Sequence, residues 1–160
     1  MLVSFFESIK YVGHFYPIVI LRFYLGYYFF NTAYEHLDGE FLRQPRLAAT
    51  IMDHLPTAVV PIWYSHFLQH VVVPNWQFFA YFLTYCEFIV GISFLIGFLV
   101  RPASLIGLIM TLNLIYAVGD SSGVNYQLFV ILFIVMLWVG AGRCLGIDYF
   151  FYKRQRGLWW

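Results

Sequence analysis

Four stretches of this chain, Tyr11 to Tyr34, Asn75 to Val100, Pro102 to Gly119 and Ser121 to Gly142, carry at most one charged side chain each. A helix rising about 1.5 Å per residue needs roughly 20 apolar residues to cross a hydrocarbon core about 30 Å thick. Stretches of this length and purity therefore predict membrane spans. Placed at about residues 15–34, 76–100, 102–119 and 125–142, they use up most of a 160-residue chain. The reading is a single all-α integral membrane domain over residues 1–160, a bundle of four transmembrane helices. Charged residues make up only 11% of the chain, against about 25% in a soluble domain. That leaves no room for a soluble catalytic domain, and no basic domain of the kind that binds nucleic acid.

The segment between spans one and two, Glu35 to Pro74, mixes charge (Glu35, Asp38, Glu40, Arg43, Arg46, Asp53) with apolar runs, and Pro45, Pro56, Pro61 and Pro74 divide it. Such a pattern predicts interfacial helices that cap the bundle. Met1 to Lys10 reads as an amphipathic lead on the inner interface, and Tyr149 to Trp160 as an aromatic and basic anchor. Lys10, Arg101, Arg143, Lys153, Arg154 and Arg156 fall on one side of the four spans, with Arg43 and Arg46 on the other. The positive-inside rule places both termini in the cytoplasm. Cys86 and Cys144 lie about half a bilayer apart along their spans and are expected to stay unpaired.

Two full charges stand inside the spans. Glu87 is the only charged residue of span two, and Arg22 the only one of span one. A carboxylate at the bilayer centre costs about 2.5 to 3.5 kcal/mol on insertion scales, so it has to be protonated, paired or turned to a polar cavity. Counting from the inner ends puts Arg22 roughly 10 Å deep, Glu87 about 18 Å and Asn113 of span three about 16 Å. An extended arginine bridges that gap. The expectation is one cluster of Arg22, Glu87 and Asn113, serving either to fix helix register or as a proton and quinone site. In the second case Glu87 exchanges a proton while Arg22 or Asn113 holds a carbonyl oxygen. Tyr24, Tyr85 and Tyr116 lie at similar levels and are the candidate ring-stacking residues. His66 and His70, at i and i+4, are the only weak candidates for a metal pair, and the reading predicts no intrinsic metal, haem or flavin.

In order along the spans stand Arg22-x-x-x-Gly26, then Glu87-x-x-x-Gly91 with Gly97 and Arg101, then Asn113, then Gly140-Ala-Gly-Arg143 with Leu145-Gly-Ile-Asp148. From about Ile20 to Asp148 this pattern resembles the DoxX/DoxD family. The long outer segment with Trp63, Tyr64 and Pro74 looks more like the DoxD branch, associated with thiosulfate:quinone oxidoreductase. The resemblance implies a small four-helix subunit of a redox complex in a bacterial or archaeal cytoplasmic membrane, with quinone as the implied cofactor. Its implied partners are membrane lipids and other subunits of an energy-transducing complex. The alternative, from another class, is a non-catalytic assembly subunit that packs against larger respiratory or photosynthetic proteins.

Overall fold

The computed structural model describes residues 16–56, 60–118, 126–143 and 146–148. The expected N-terminal lead, the turn near Gly119, Cys144 and the aromatic tail lie outside the described residues. Within them the chain is helical: α1 (Tyr16–Asp38), a 3-10 turn (Glu40–Leu42), α2 (Arg46–His54), α3 (Ile62–Phe67), a π-helical turn (Leu68–Val72), α4 (Trp76–Ile96), α5 (Val100–Val118), α6 (Tyr126–Val139) and a last 3-10 turn (Ala141–Arg143).

Prolines set the outer boundaries as expected. Pro45 and Pro61 stand immediately before α2 and α3, where a missing N–H costs nothing. Helices α4 and α5 are long and apolar enough to cross a bilayer. Helix α1 has 23 residues but carries Arg22, Glu35 and Asp38, and α6 has 14 residues, all apolar except Gln127 and Tyr126. Large apolar side chains face outward: Trp138 is 86% exposed, Ile62 78% and Phe78 67%. In water that would be an aggregation surface; against lipid it is the expected exterior.

Helices α1 and α4 run antiparallel at close range because glycine removes the side chain at two crossing points. A Cβ at Gly26 would lie 2.9 Å from the Leu95 backbone nitrogen, and one at Gly91 would lie 2.7 Å from the Phe30 nitrogen. These two contacts fix the register of α1 on α4. Helices α5 and α6 meet in the same way, with Gly107 under the Phe133 ring. Phe29, Phe94 and Phe133 interlock at the centre, with ring centroids 5.3 Å (Phe29 to Phe133) and 5.8 Å (Phe94 to Phe133) apart. A second apolar cluster, built on Ile51, Leu55, Tyr64, Leu68 and Val72, fastens the cap formed by α2, α3 and the π-helical turn.

The link from α4 to α5 differs from the expected helix running to Val100. Gly97 takes a left-handed conformation (φ 71°) and ends α4, its N–H bonding Ser93 O at 2.9 Å. Leu99 is also left-handed (φ 53°), a conformation that costs a side-chain-bearing residue about 1 to 2 kcal/mol. Asp148 holds it there. Its buried carboxylate accepts the Leu99 N–H at 2.7 Å and the Val100 N–H at 3.1 Å, while the Asp148 N–H donates to Gly97 O at 3.0 Å. Helix α6 ends at Gly140, also left-handed (φ 65°), so the Gly-Ala-Gly-Arg motif turns the chain sharply.

Candidate functional site

The register set by Gly26 and Gly91 decides where each polar residue of the spans arrives. Arg22 comes level with the Gly97 turn at the end of α4. Its side chain is fully buried, Nη1 donates to Ala141 O at 2.9 Å, and a Cβ on Gly97 would lie 2.8 Å from that same nitrogen. The arginine thus ties α1 to the C-terminal end of α6 and to the α4–α5 turn. Together with Asp148 it makes a clasp that joins the Gly97 end of α4, the start of α5 and the C-terminal end of α6.

Glu87 lies on the other side of the Gly91 crossing from the Gly97 turn, and its partner is His36 of α1, which was not among the expected site residues. Oε2 of Glu87 lies 2.8 Å from Nδ1 of His36. The carboxylate side chain is 5% exposed and the imidazole 23%. His36 is held flat against Phe41, with centroids 4.0 Å apart and planes 16° apart, so the 3-10 turn after α1 sets the orientation of the ring. Asn113 belongs to neither of these sites. Its Oδ1 accepts the Tyr64 hydroxyl at 3.1 Å, and its Nδ2 donates to Ile109 O at 2.8 Å. Burial raises the Tyr64 phenol above its ordinary value near 10. The expected single cluster is therefore three separate arrangements, because depth alone does not say which faces of antiparallel helices meet.

A cavity of about 180 Å³ opens beside the pair. Tyr28, Thr32 and His36 line it from α1, Leu83 and Glu87 from α4, Thr111 from α5, and Tyr126 and Phe129 from α6; Phe41, Leu47 and Thr50 roof it. Three of its hydroxyls already donate to backbone carbonyls: Thr32 to Tyr28 O, Thr50 to Arg46 O and Thr111 to Gly107 O. The groups left to donate into the cavity are the phenols of Tyr28 and Tyr126, and the hydrogen-bonded His36–Glu87 pair stands at its wall. An apolar cavity of about 150 Å³ holds benzene, so this one has room for a single six-membered ring or a few waters. Tyr24, Tyr85 and Tyr116, the tyrosines expected to stack on a ring, instead lie on outer faces at 55%, 57% and 49% exposure.

His66 and His70 stack on the outer surface, centroids 5.4 Å apart, and His70 Nδ1 is hydrogen-bonded to His66 O at 3.1 Å. That bond leaves one ring nitrogen of His70 for any ligand. Among the described residues, no group of three or more His, Cys, Asp and Glu side chains is placed to hold a metal. Cys86 is a free, half-buried thiol on α4.

His36 was legible in principle. The buried stripe of α1 runs Arg22, Leu25, Phe29, Ala33, and one further step of three reaches His36 on the same face.

No curated protein and no solved structure matches the chain. The DoxX family model matches residues 18–120, the stretch that carries Arg22, His36, Glu87, Gly97 and Asn113. That match covers well over half of the sequence, and the chain belongs to the DoxX family of membrane proteins.

Proposed function

We propose that the chain is the membrane subunit of a redox complex and that the His36–Glu87 pair delivers protons to a quinone ring bound beside it. In this reading α1, α4, α5 and α6 are four spans of a bacterial or archaeal cytoplasmic membrane. Both termini face the cytoplasm, and the α2–α3 cap lies outside. The observation that carries the proposal is the 2.8 Å contact between a buried carboxylate and an imidazole at the wall of a ring-sized cavity. A register-fixing role alone does not need a cavity, and a buried charge in a membrane protein marks a functional site by default.

A quinone takes two electrons and two protons to become a hydroquinone. The electrons come from a partner subunit that carries a redox centre and oxidises a reduced sulfur donor such as thiosulfate, two thiosulfates giving one tetrathionate and two electrons. That donor follows from the likeness to the DoxD branch. The protons come through this chain. The His36–Glu87 pair gives one proton to the nearer quinone oxygen and the phenol of Tyr28 or Tyr126 gives the second to the other; the pair and the resulting phenolate are then reprotonated from the partly exposed edge of His36.

The test is donor-to-quinone electron transfer in membranes that contain the complete complex, comparing native chain with Glu87→Gln and His36→Gln. The proposal expects quinone reduction to fall at least tenfold in both variants, with assembly of the complex unchanged. Unchanged reduction in both would leave the alternative, an assembly subunit whose polar residues only order the helices.

A further inference from the structure

Beside the polar cavity lies a second one of about 250 Å³, between the outer cap and helices α4 and α5. The two share Leu47, Leu83 and Leu114, so three leucines form the wall between them. Their linings differ in polarity. The first cavity brings Tyr28, Thr32, His36, Glu87 and Tyr126 to its surface. The second is lined by apolar side chains except for Tyr64 and Asn113, which are hydrogen-bonded to each other and ask nothing of a ligand. A chamber of that kind stays dry and takes hydrocarbon.

The apolar chamber also has an exit. Phe82 of α4 and Ile109 of α5 line it and are 58% and 53% exposed, so it opens sideways between the two helices toward the lipid. We infer that these adjoining cavities form one amphipathic binding site, taking a quinone with a hydrocarbon tail: ring beside His36 and Glu87, first part of the tail in the apolar chamber, remainder leaving between Phe82 and Ile109. By the benzene comparison, 250 Å³ holds roughly ten carbons of the tail. The ligand then enters from the membrane, where a tailed carrier is dissolved, and not through the cap. Leu83 and Leu114 are the residues that move or thin to join the chambers. This inference rests on the proposed ring site and adds the class of quinone and its route.

The test uses the full chain in lipid nanodiscs and two probes, a benzoquinone with a decyl chain and its tailless tetramethyl counterpart, each followed by quenching of tryptophan fluorescence. Ala117 of α5 lines the apolar chamber alone, so Ala117→Phe fills it from one side; Val72→Phe fills it from the π-helical turn and serves if the first variant does not fold. Lipid partitioning cancels when each variant is compared with the native chain. The expected result is a preference for the tailed probe in the native chain that drops about tenfold or more in either variant, while Glu87→Gln weakens both probes. Two results overturn the inference and are distinguishable. If both probes bind with equal strength and the filling variants alter neither, the ring site stands and the tail chamber does not. If neither probe binds, or Glu87→Gln changes nothing, the ring site itself is wrong.

Discussion

Asp148 offers the sharpest test of how this fold is held together, because one side chain closes a turn in which a leucine takes a glycine-like conformation. Asp148→Ala removes the acceptors of the Leu99 and Val100 N–H groups, at 2.7 and 3.1 Å. Hydrogen bonds to a charged group are worth about 1.5 to 3 kcal/mol each. The Leu99 position is half-buried, so water recovers part of its loss, whereas Val100 is fully buried and recovers little. The carboxylate is also packed against Gly142, so its removal leaves a gap at this end of the bundle. The sum is a loss of about 3 kcal/mol, a change of roughly 100-fold in the unfolding equilibrium. Asp148→Asn keeps one acceptor in place and should cost about 1 kcal/mol. Unfolding in mixed detergent micelles titrated with dodecyl sulfate measures both. If Asp148→Ala falls within 0.5 kcal/mol of the native chain, on the scale of an ordinary surface change, then the carboxylate does not hold the turn and the reasoning fails.

Three further outcomes follow from the same geometry. Gly91→Leu would drive a side chain into the Phe30 backbone, and separating α1 from α4 should cost several kcal/mol or prevent folding, while Ile89→Leu on the exposed face of α4 should be silent; yield and melting temperature in detergent distinguish them. Arg22→Met should destabilise the bundle by about 1.5 to 3 kcal/mol through the lost bond to Ala141 O, yet change quinone affinity less than threefold because Arg22 belongs to the inner clasp; an affinity loss equal to that of Glu87→Gln would restore the single cluster expected from sequence. The Tyr64 phenol keeps its proton above pH 10 in the folded protein but not in the unfolded chain, so the folded state binds more protons there and stability falls as pH rises past about 10; Tyr64→Phe should flatten that fall in an alkaline unfolding series.

Helices α4 and α5 were readable as membrane-crossing because apolar runs of 18 or more residues with at most one charge have few other uses, and Pro45 and Pro61 marked the starts of α2 and α3. Helix ends were less readable. The expected span to Val100 stops at Ile96 because Gly97 and Leu99 turn left-handed, and only a residue 49 positions away, Asp148, makes the second of these affordable. The chemistry of Glu87 was evident from its isolation in an apolar run, but not its partner. Depth below a helix end places Arg22 and Glu87 within an arginine's reach of each other but does not say which helix faces meet. What decides the pairing is the crossing of Gly26 at Leu95 and Gly91 at Phe30, which carries Arg22 to the Gly97 turn and His36 to Glu87. Four histidines in one outer segment looked alike in sequence. Only the continuation of the buried stripe of α1 separated His36 from the others.

The proton-delivery claim depends on a quinone ring lying against the His36–Glu87 pair. Purifying the native chain, Glu87→Gln and His36→Gln in mild detergent, then quantifying extractable quinone per chain, tests this most directly. The account predicts quinone retained by the native chain, at a level that both substitutions reduce at least tenfold while the helical content stays unchanged. Equal quinone content in all three, or none in the native chain, would contradict it.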